Sequence, residues 1–181
     1  MRCLFQTERL LVRTYNGNDQ ENFFLLNGDP EVVRFIRPAK TREECDRFLR
    51  EVMAAANATP LYGRWAVQEK TSNAFVGSFA VIPVENSERI QLGYALLRPY
   101  WGKGYATELT AAGLDYVFTK TDLDVIYGYT EIANLASQKV LLKSGFHFME
   151  EKKEGEKELV VYALRKEQYK PVNLIPSSEK Q

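Results

Sequence analysis

Histidine is almost missing from this sequence: 181 residues hold one, His147, and only two cysteines, Cys3 and Cys45. That scarcity excludes a zinc site built on imidazole and thiolate, a disulfide framework and a CxxC redox pair. Charge of one sign is missing too. Lys and Arg number 24, as do Asp and Glu, so the net charge is zero. A balanced chain lacks the basic footprint that draws a protein to nucleic acid or an anionic membrane. No apolar run follows the first basic residue to make a signal peptide, and none is long enough to span a bilayer. Repeats and low-complexity blocks are absent. The reading is a cytoplasmic, reduced, metal-free protein, with neither nucleic acid nor membrane as partner.

What is present is ordinary globular composition, 45% hydrophobic and 27% charged, at a length that suits one domain with a sizeable core. Residues 7–14 alternate like a strand. Asn16 to Asp19 break it and offer a cap for a helix carrying Phe23, Phe24 and Leu26, with Gly28 as its stop. Asp29-Pro30 opens a second helix, with Val32, Val33, Phe35 and Ile36 as its apolar residues. Thr41 and Glu44 form a capping box ahead of a helix that buries Cys45, Phe48, Leu49 and Val52.

From Gly63 the period changes to two. Strands at 65–69, 75–82 and 88–97, joined by short links, make an antiparallel meander. A helix follows, with Ala106, Leu109, Thr110, Gly113, Leu114, Val117 and Phe118 on one stripe. Then come a strand at 125–131, a helix over 134–144 capped by Asn134 and stopped by Gly145, and a hairpin of 146–152 with 158–164. The expected architecture is α+β: a central mixed, mostly antiparallel sheet of about seven strands with helices on both faces. Residues 1–165 form the domain, and 166–181, with Pro171, Pro176 and paired serines, a weakly ordered tail.

The chemistry concentrates between Gln91 and Glu108. A strand ends, Trp101-Gly102-Lys103-Gly104-Tyr105-Ala106 turns, and the long helix begins. The first turn of a helix has free N–H groups and the positive end of the dipole. Glycines let a phosphate approach them, so the segment suits a pyrophosphate, with Lys103 adding charge. A Rossmann site competes poorly. Thr107 stands where its third glycine belongs, and the strand feeding the turn closes a meander rather than opening a parallel sheet.

This segment resembles the pyrophosphate loop of the GNAT superfamily of N-acetyltransferases, Q/R-x-x-G-x-G/A, matched at Trp101, Gly104 and Ala106, with Trp101 departing from the usual Gln or Arg. The string Tyr100 to Glu108 is similar to the RimJ/RimL-like branch. So are Thr7-Glu8-Arg9-Leu10, Asp29-Pro30-Glu31-Val32, and Asn134-Leu135-Ala136-Ser137 followed by Gly145-Phe146. These motifs together, in order, are far more specific than any one of them.

The resemblance implies a splay between the fourth and fifth strands, 88–97 and 125–131. Acetyl-CoA is the implied co-substrate, its thioester arm beside Leu96 and Leu97, where a main-chain N–H meets developing negative charge. The implied reaction is direct attack by a primary amine, either a protein N-terminus or a small molecule. Asn134 matches the asparagine that holds the pantetheine arm. Ser137 is the candidate acid, because the family's tyrosine seven residues after that asparagine is Leu141 here. A branch glutamate falls at Gln91, which accepts no proton, and Glu88 has the opposite strand parity. A weak base favours an α-amine over a lysine side chain. The alternative is a non-catalytic CoA or acyl-CoA sensor with a degenerate site. The chain is read as a monomer or homodimer.

Other residues have plainer readings. Cys45 belongs to the core, and His147, in a strand after Gly145-Phe146, is a surface or satisfied histidine in preference to a catalytic base. Tyr94 and Trp101 pack or line the acceptor pocket. Arg34, Arg37, Lys40 and Arg42 form a solvated face or the flank of an acceptor groove. Glu108 supports the helix dipole.

Overall fold

The computed structural model describes residues 2–59 and 61–171. Eight strands form one sheet: β1 (Cys3–Gln6), β2 (Leu10–Arg13), β3 (Gly63–Glu69), β4 (Phe75–Pro83), β5 (Ile90–Leu96), β6 (Val125–Glu131), β7 (His147–Glu154) and β8 (Lys157–Arg165). Their order is β1-β2-β3-β4-β5-β6-β8-β7, and every neighbouring pair is antiparallel except β5 with β6. Helices α1 (Gln20–Asn27), α2 (Pro30–Val33) and α3 (Arg42–Ala58) belong to one face, α4 (Tyr105–Lys120) and α5 (Leu135–Lys143) to the other.

Local chemistry explains most boundaries. The Thr41 hydroxyl accepts from Glu44 N–H while the Glu44 carboxylate accepts from Thr41 N–H, closing the box at the start of α3. Asp29 caps α2 with Pro30 as its first residue. On α4, Leu109, Leu114 and Val117 are fully buried and contribute about 1.5–3 kcal/mol each. They pack with Trp65, Phe79 and Leu92 from the sheet. Across the sheet, Phe23, Leu26, Cys45 and Leu49 form a second cluster over Ala66 and Phe75.

Three expectations change. The first strand, expected at 7–14, is present but shortened to Leu10–Arg13, and an unexpected strand, Cys3–Gln6, pairs with it as a hairpin. The Thr7 hydroxyl accepts from Leu10 N–H at 2.8 Å and folds the chain at that corner, which makes eight strands instead of about seven. Helix α2 stops at Val33, so Phe35 and Ile36 lie beyond it, and Ile36 is exposed. Order also continues past 165. Residues 166–168 make a 3-10 turn, and the Tyr169 ring lies 5.1 Å from Phe118. The rest of the expected tail, from 172, lies outside the described residues.

Candidate active site

Strands β5 and β6 run parallel but share a single bridge, Gln91 with Tyr127, and then diverge. The alternation of the antiparallel ladder tells which amides face the gap. Leu97 N–H donates to Val76 O at 2.9 Å, so Leu97 bonds to β4. Leu96, paired with Gly77, then points its N–H and C=O the other way, into the opening. Of the two backbone candidates, Leu97 has its amide committed to the sheet and Leu96 has its amide free for a ligand. Trp101 explains the remaining Leu96 group: its indole N–H donates to the Leu96 carbonyl at 2.6 Å. Strand β4 comes unusually close here. A Cβ on Gly77 would lie 2.9 Å from Leu96 Cα and closer still to the Ala95 carbonyl.

Beyond Leu97 the chain makes a 3-10 turn over 98–100 and then a glycine bend. Gly102 and Gly104 take φ of 72° and 80°, left-handed values that favour glycine. Gly104 is the N-cap of α4 and supplies no side-chain cap, so the first amides of that helix stay available. Residues 101–104 are exposed, including Lys103. Tyr105 is buried and donates its hydroxyl to Glu69, and Ala106 begins the packed stripe.

The bend is held from near the start of the chain. The Arg9 guanidinium donates to Lys103 O at 2.9 Å and to Glu108 at 2.6 Å, and covers the Tyr105 ring at 4.3 Å. Glu108 also accepts from Thr7 Oγ1 and from Arg9 N–H. Burial pushes the Glu108 carboxyl up, but these donors outweigh it and hold it below the usual carboxylate range. Sequence reading found the Thr7-Arg9 motif without its task. Nothing in linear spacing connects it to the loop.

Helix α5 borders the gap on the α4 face. Asn134 caps it, its side-chain oxygen accepting from Ser137 N–H at 3.2 Å, while its side-chain N–H groups have no partner among the described residues. Ser137 lies within interaction range of the Tyr94 phenol on β5. Burial pushes that phenol up, and the Ser137 side chain draws it part-way back. The Thr130 hydroxyl, level with Tyr94 by the strand register, is buried without a partner. Leu141 packs its side chain over Gly128 and offers no proton.

The acid–base candidates divide. Gln91 sits at the apex where β5 and β6 still pair. Glu88 lies in an exposed bend before β5, roughly 26 Å of extended chain from Leu96, and the structure does not bring it to the opening. The groove that Glu88 borders with Arg89, Asp124 and Tyr127 is at the closed end of the strand pair. Continuing the register of the single bridge, the carboxylate that falls opposite Ala95 across the opening is Glu131, which sequence reading missed. It is paired with Lys157 at 2.6 Å. Cys45 is buried and His147 exposed. No group of three potential metal ligands occurs among the described residues, and no described helix is long and apolar enough to cross a membrane.

A parallel pair opened beside a glycine bend is the arrangement that the sequence resemblance implied, and comparison with known proteins identifies the family and the fold. Residues 9–147 match the acetyltransferase (GNAT) domain family. The chain belongs to the GNAT acetyltransferases. It is 30% identical to the uncharacterized N-acetyltransferase p20 of Bacillus licheniformis, over 77% of this chain and 80% of that protein. The crystal structure of a GNAT-family acetyltransferase from Bacillus anthracis superposes with a TM-score of 0.78 at 25% identity, covering 90% of this chain and 98% of that one. RimL, a ribosomal L7/L12 α-N-protein acetyltransferase solved with coenzyme A, gives the same TM-score at 14% identity, covering 91% and 98%, which is likeness of fold alone.

Proposed function

We propose that this GNAT protein transfers an acetyl group from acetyl-CoA to a primary amine by direct attack within a ternary complex. The observation that carries the reading is the opening between β5 and β6, with the Leu96 amide directed into it and the Gly102–Gly104 bend beyond its end. The polar groups around the opening fit the proposed co-substrate. The first amides of α4 and Lys103 suit a pyrophosphate. Leu96 N–H, the free amide of Asn134 and the orphaned Thr130 hydroxyl suit an arm that carries amide groups. Acetyl-CoA supplies an activated acyl group.

The chain's own groups do the rest. Leu96 N–H stabilises negative charge developing on the thioester oxygen. Ser137, beside the Tyr94 phenol, donates toward the departing sulfur, which needs little help because a thiol pKa is only about 8.5. Glu131 and water take up the amine's proton. Gln91 at the apex accepts none, so an acceptor of lower pKa, an α-amine at about 8, is favoured over a lysine side chain at about 10.4. Protein N-termini and small molecules that carry an activated, low-pKa amine are both acceptors of this kind, and the RimJ/RimL-like motifs favour the former. The protein acts in the cytoplasm as a monomer or homodimer.

Burial of Leu141 where related enzymes carry an acid is the observation that favours the sensor alternative. Thiol release from acetyl-CoA with a panel of peptides, polyamines and amino sugars decides between them. Turnover of any amine supports the transferase. CoA binding with no turnover across the panel supports the sensor.

A further inference from the structure

The α1–α3 face holds an electrostatic anomaly. Arg37, Lys40 and Arg64 surround a single ring, Phe48, at 5.5, 5.6 and 5.6 Å. Nearby cations of the same stretch are paired, Arg34 with Glu31 and Arg42 with Glu21. These three are not. Arg64 makes neither an ion pair nor a side-chain hydrogen bond among the described residues. Arg37 donates to Asn27, but its Nε is buried without a partner. The Tyr15 hydroxyl, on a side chain only 5% exposed, is buried near both arginines, within interaction range of the Ser78 side chain but with no closely fitted hydrogen bond. Burial first, and then repulsion from Arg64, lowers the Arg37 pKa to about 10. Unpaired cations desolvated together weaken a fold unless something compensates them. Arg37 and Arg64 are half-buried and neither residue is sealed from solvent.

The cluster adjoins the opening. Arg64, Ala80 and Gly93 form one cross-strand row on this face, and the next row ends at Ala95, level with Glu131. Ala80 contributes only a methyl group, and a Cβ on Gly93 would meet nothing within 4 Å. The apolar cluster that contains Phe48 extends to Ala95 and Leu97 at the open end of β5. Two strand spacings, about 10 Å, separate Arg64 from Gly93 in the backbone. Of the two acceptor classes proposed above, this face of the sheet favours the small molecule over the protein N-terminus that the motifs favour: the distance suits a small acceptor with its amine at the opening and its other end at the arginines.

We propose that Arg37 and Arg64, with Lys40 and Tyr15 beside them, form the oxyanion-binding end of the acceptor pocket, so that the amine acetylated by this protein carries a carboxylate or a phosphate. This rests on the transferase reading above. Guanidinium pairs recognise both oxyanions through bidentate hydrogen bonds, and a bound oxyanion relieves the repulsion between them.

The test pairs probes that differ only in that group: free amino acids against their carboxamides, and O-phosphoethanolamine against ethanolamine. Each is titrated into the CoA-saturated protein by thermal shift, then offered as acceptor in the thiol-release assay. The expected result is preferential binding of the carboxylates or the phosphate. Arg64→Gln and Arg37→Gln each weaken it at least about tenfold, while CoA affinity stays within about twofold. Arg64→Lys, which keeps the charge and loses the planar fork, falls between. If neutral partners bind as well as the anions, if no anion binds, or if Arg64→Gln and Arg64→Lys both leave the preference intact, the proposal is overturned. Anion-selective binding with no acetylation of any amine leaves the subsite standing and removes the transferase. Indifferent acetylation of acids and amides does the reverse.

Discussion

Arg9 and Glu108 stand 99 positions apart in the chain and meet at 2.6 Å, so that the corner of the first hairpin holds the glycine bend from beneath. The same guanidinium bonds the Lys103 carbonyl within the bend. The arrangement joins the far edge of the sheet to the proposed diphosphate site.

Glu108→Gln therefore weakens both fold and cofactor binding. It costs about 1–2 kcal/mol, from the charge-assisted bonds it removes, and shows as a lower midpoint in urea. The acid dependence follows from the lowered carboxyl. Its contribution is complete above the unfolded carboxylate pKa of about 4.3 and disappears as pH falls through the lower native value. The parent loses more stability than Glu108→Gln between pH 6 and pH 3. Equal losses would show that the pair is inert.

Gly102→Ala and Gly104→Ala force a side chain into left-handed backbone, and each destabilises the bend by about 1 kcal/mol. Calorimetry with CoA is expected to show affinity reduced about tenfold or more, with a smaller change in melting temperature. Gly93→Ala is the contrast. It has room for its methyl and ordinary φ, so the fold and CoA binding survive, while the acceptor KM rises.

Gly77→Ala drives a Cβ against the backbone of β5 at Ala95 and Leu96. Backbone cannot rotate aside as a side chain can, so the cost is about 1–3 kcal/mol, and the Leu96 amide is displaced with its strand. The expected outcome is a folded protein of lower melting temperature with severely reduced kcat. Unchanged turnover would separate the Leu96 amide from catalysis.

Ser137→Ala lowers kcat by about tenfold with little effect on CoA affinity, a modest value because thiolate leaves readily. Tyr94→Phe gives a similar loss if the phenol orients Ser137, and the double variant is then no worse than either single one. Steady-state kinetics on all three checks this. Multiplicative losses would make the two hydroxyls independent.

Reactivity of the two thiols checks the core. Burial raises the Cys45 pKa and closes access to it, whereas Cys3 is exposed. Ellman's reagent is expected to modify one thiol rapidly in the native protein and both in denaturant.

The sequence by itself determined the elements whose cause is local. The Thr41–Glu44 box, Asp29-Pro30 and the two glycines of the loop each act within a few residues, and the stripe from Ala106 to Phe118 repeats on the helical period. Those signals, in order, also carried the family. They did not carry the turn at Thr7, where one hydroxyl competed with an otherwise good strand pattern. Only the tertiary structure decided which backbone amide of β5 faces the opening, since Leu96 and Leu97 differ by ladder parity alone. It alone joined Arg9 to Glu108, brought Glu131 level with Ala95, and left Arg37 and Arg64 without counter-charges. Charges meet through space, and their partners here come from elements that the chain separates by tens of residues, so no spacing rule within one segment could have shown which cations are paired and which remain free to hold a ligand.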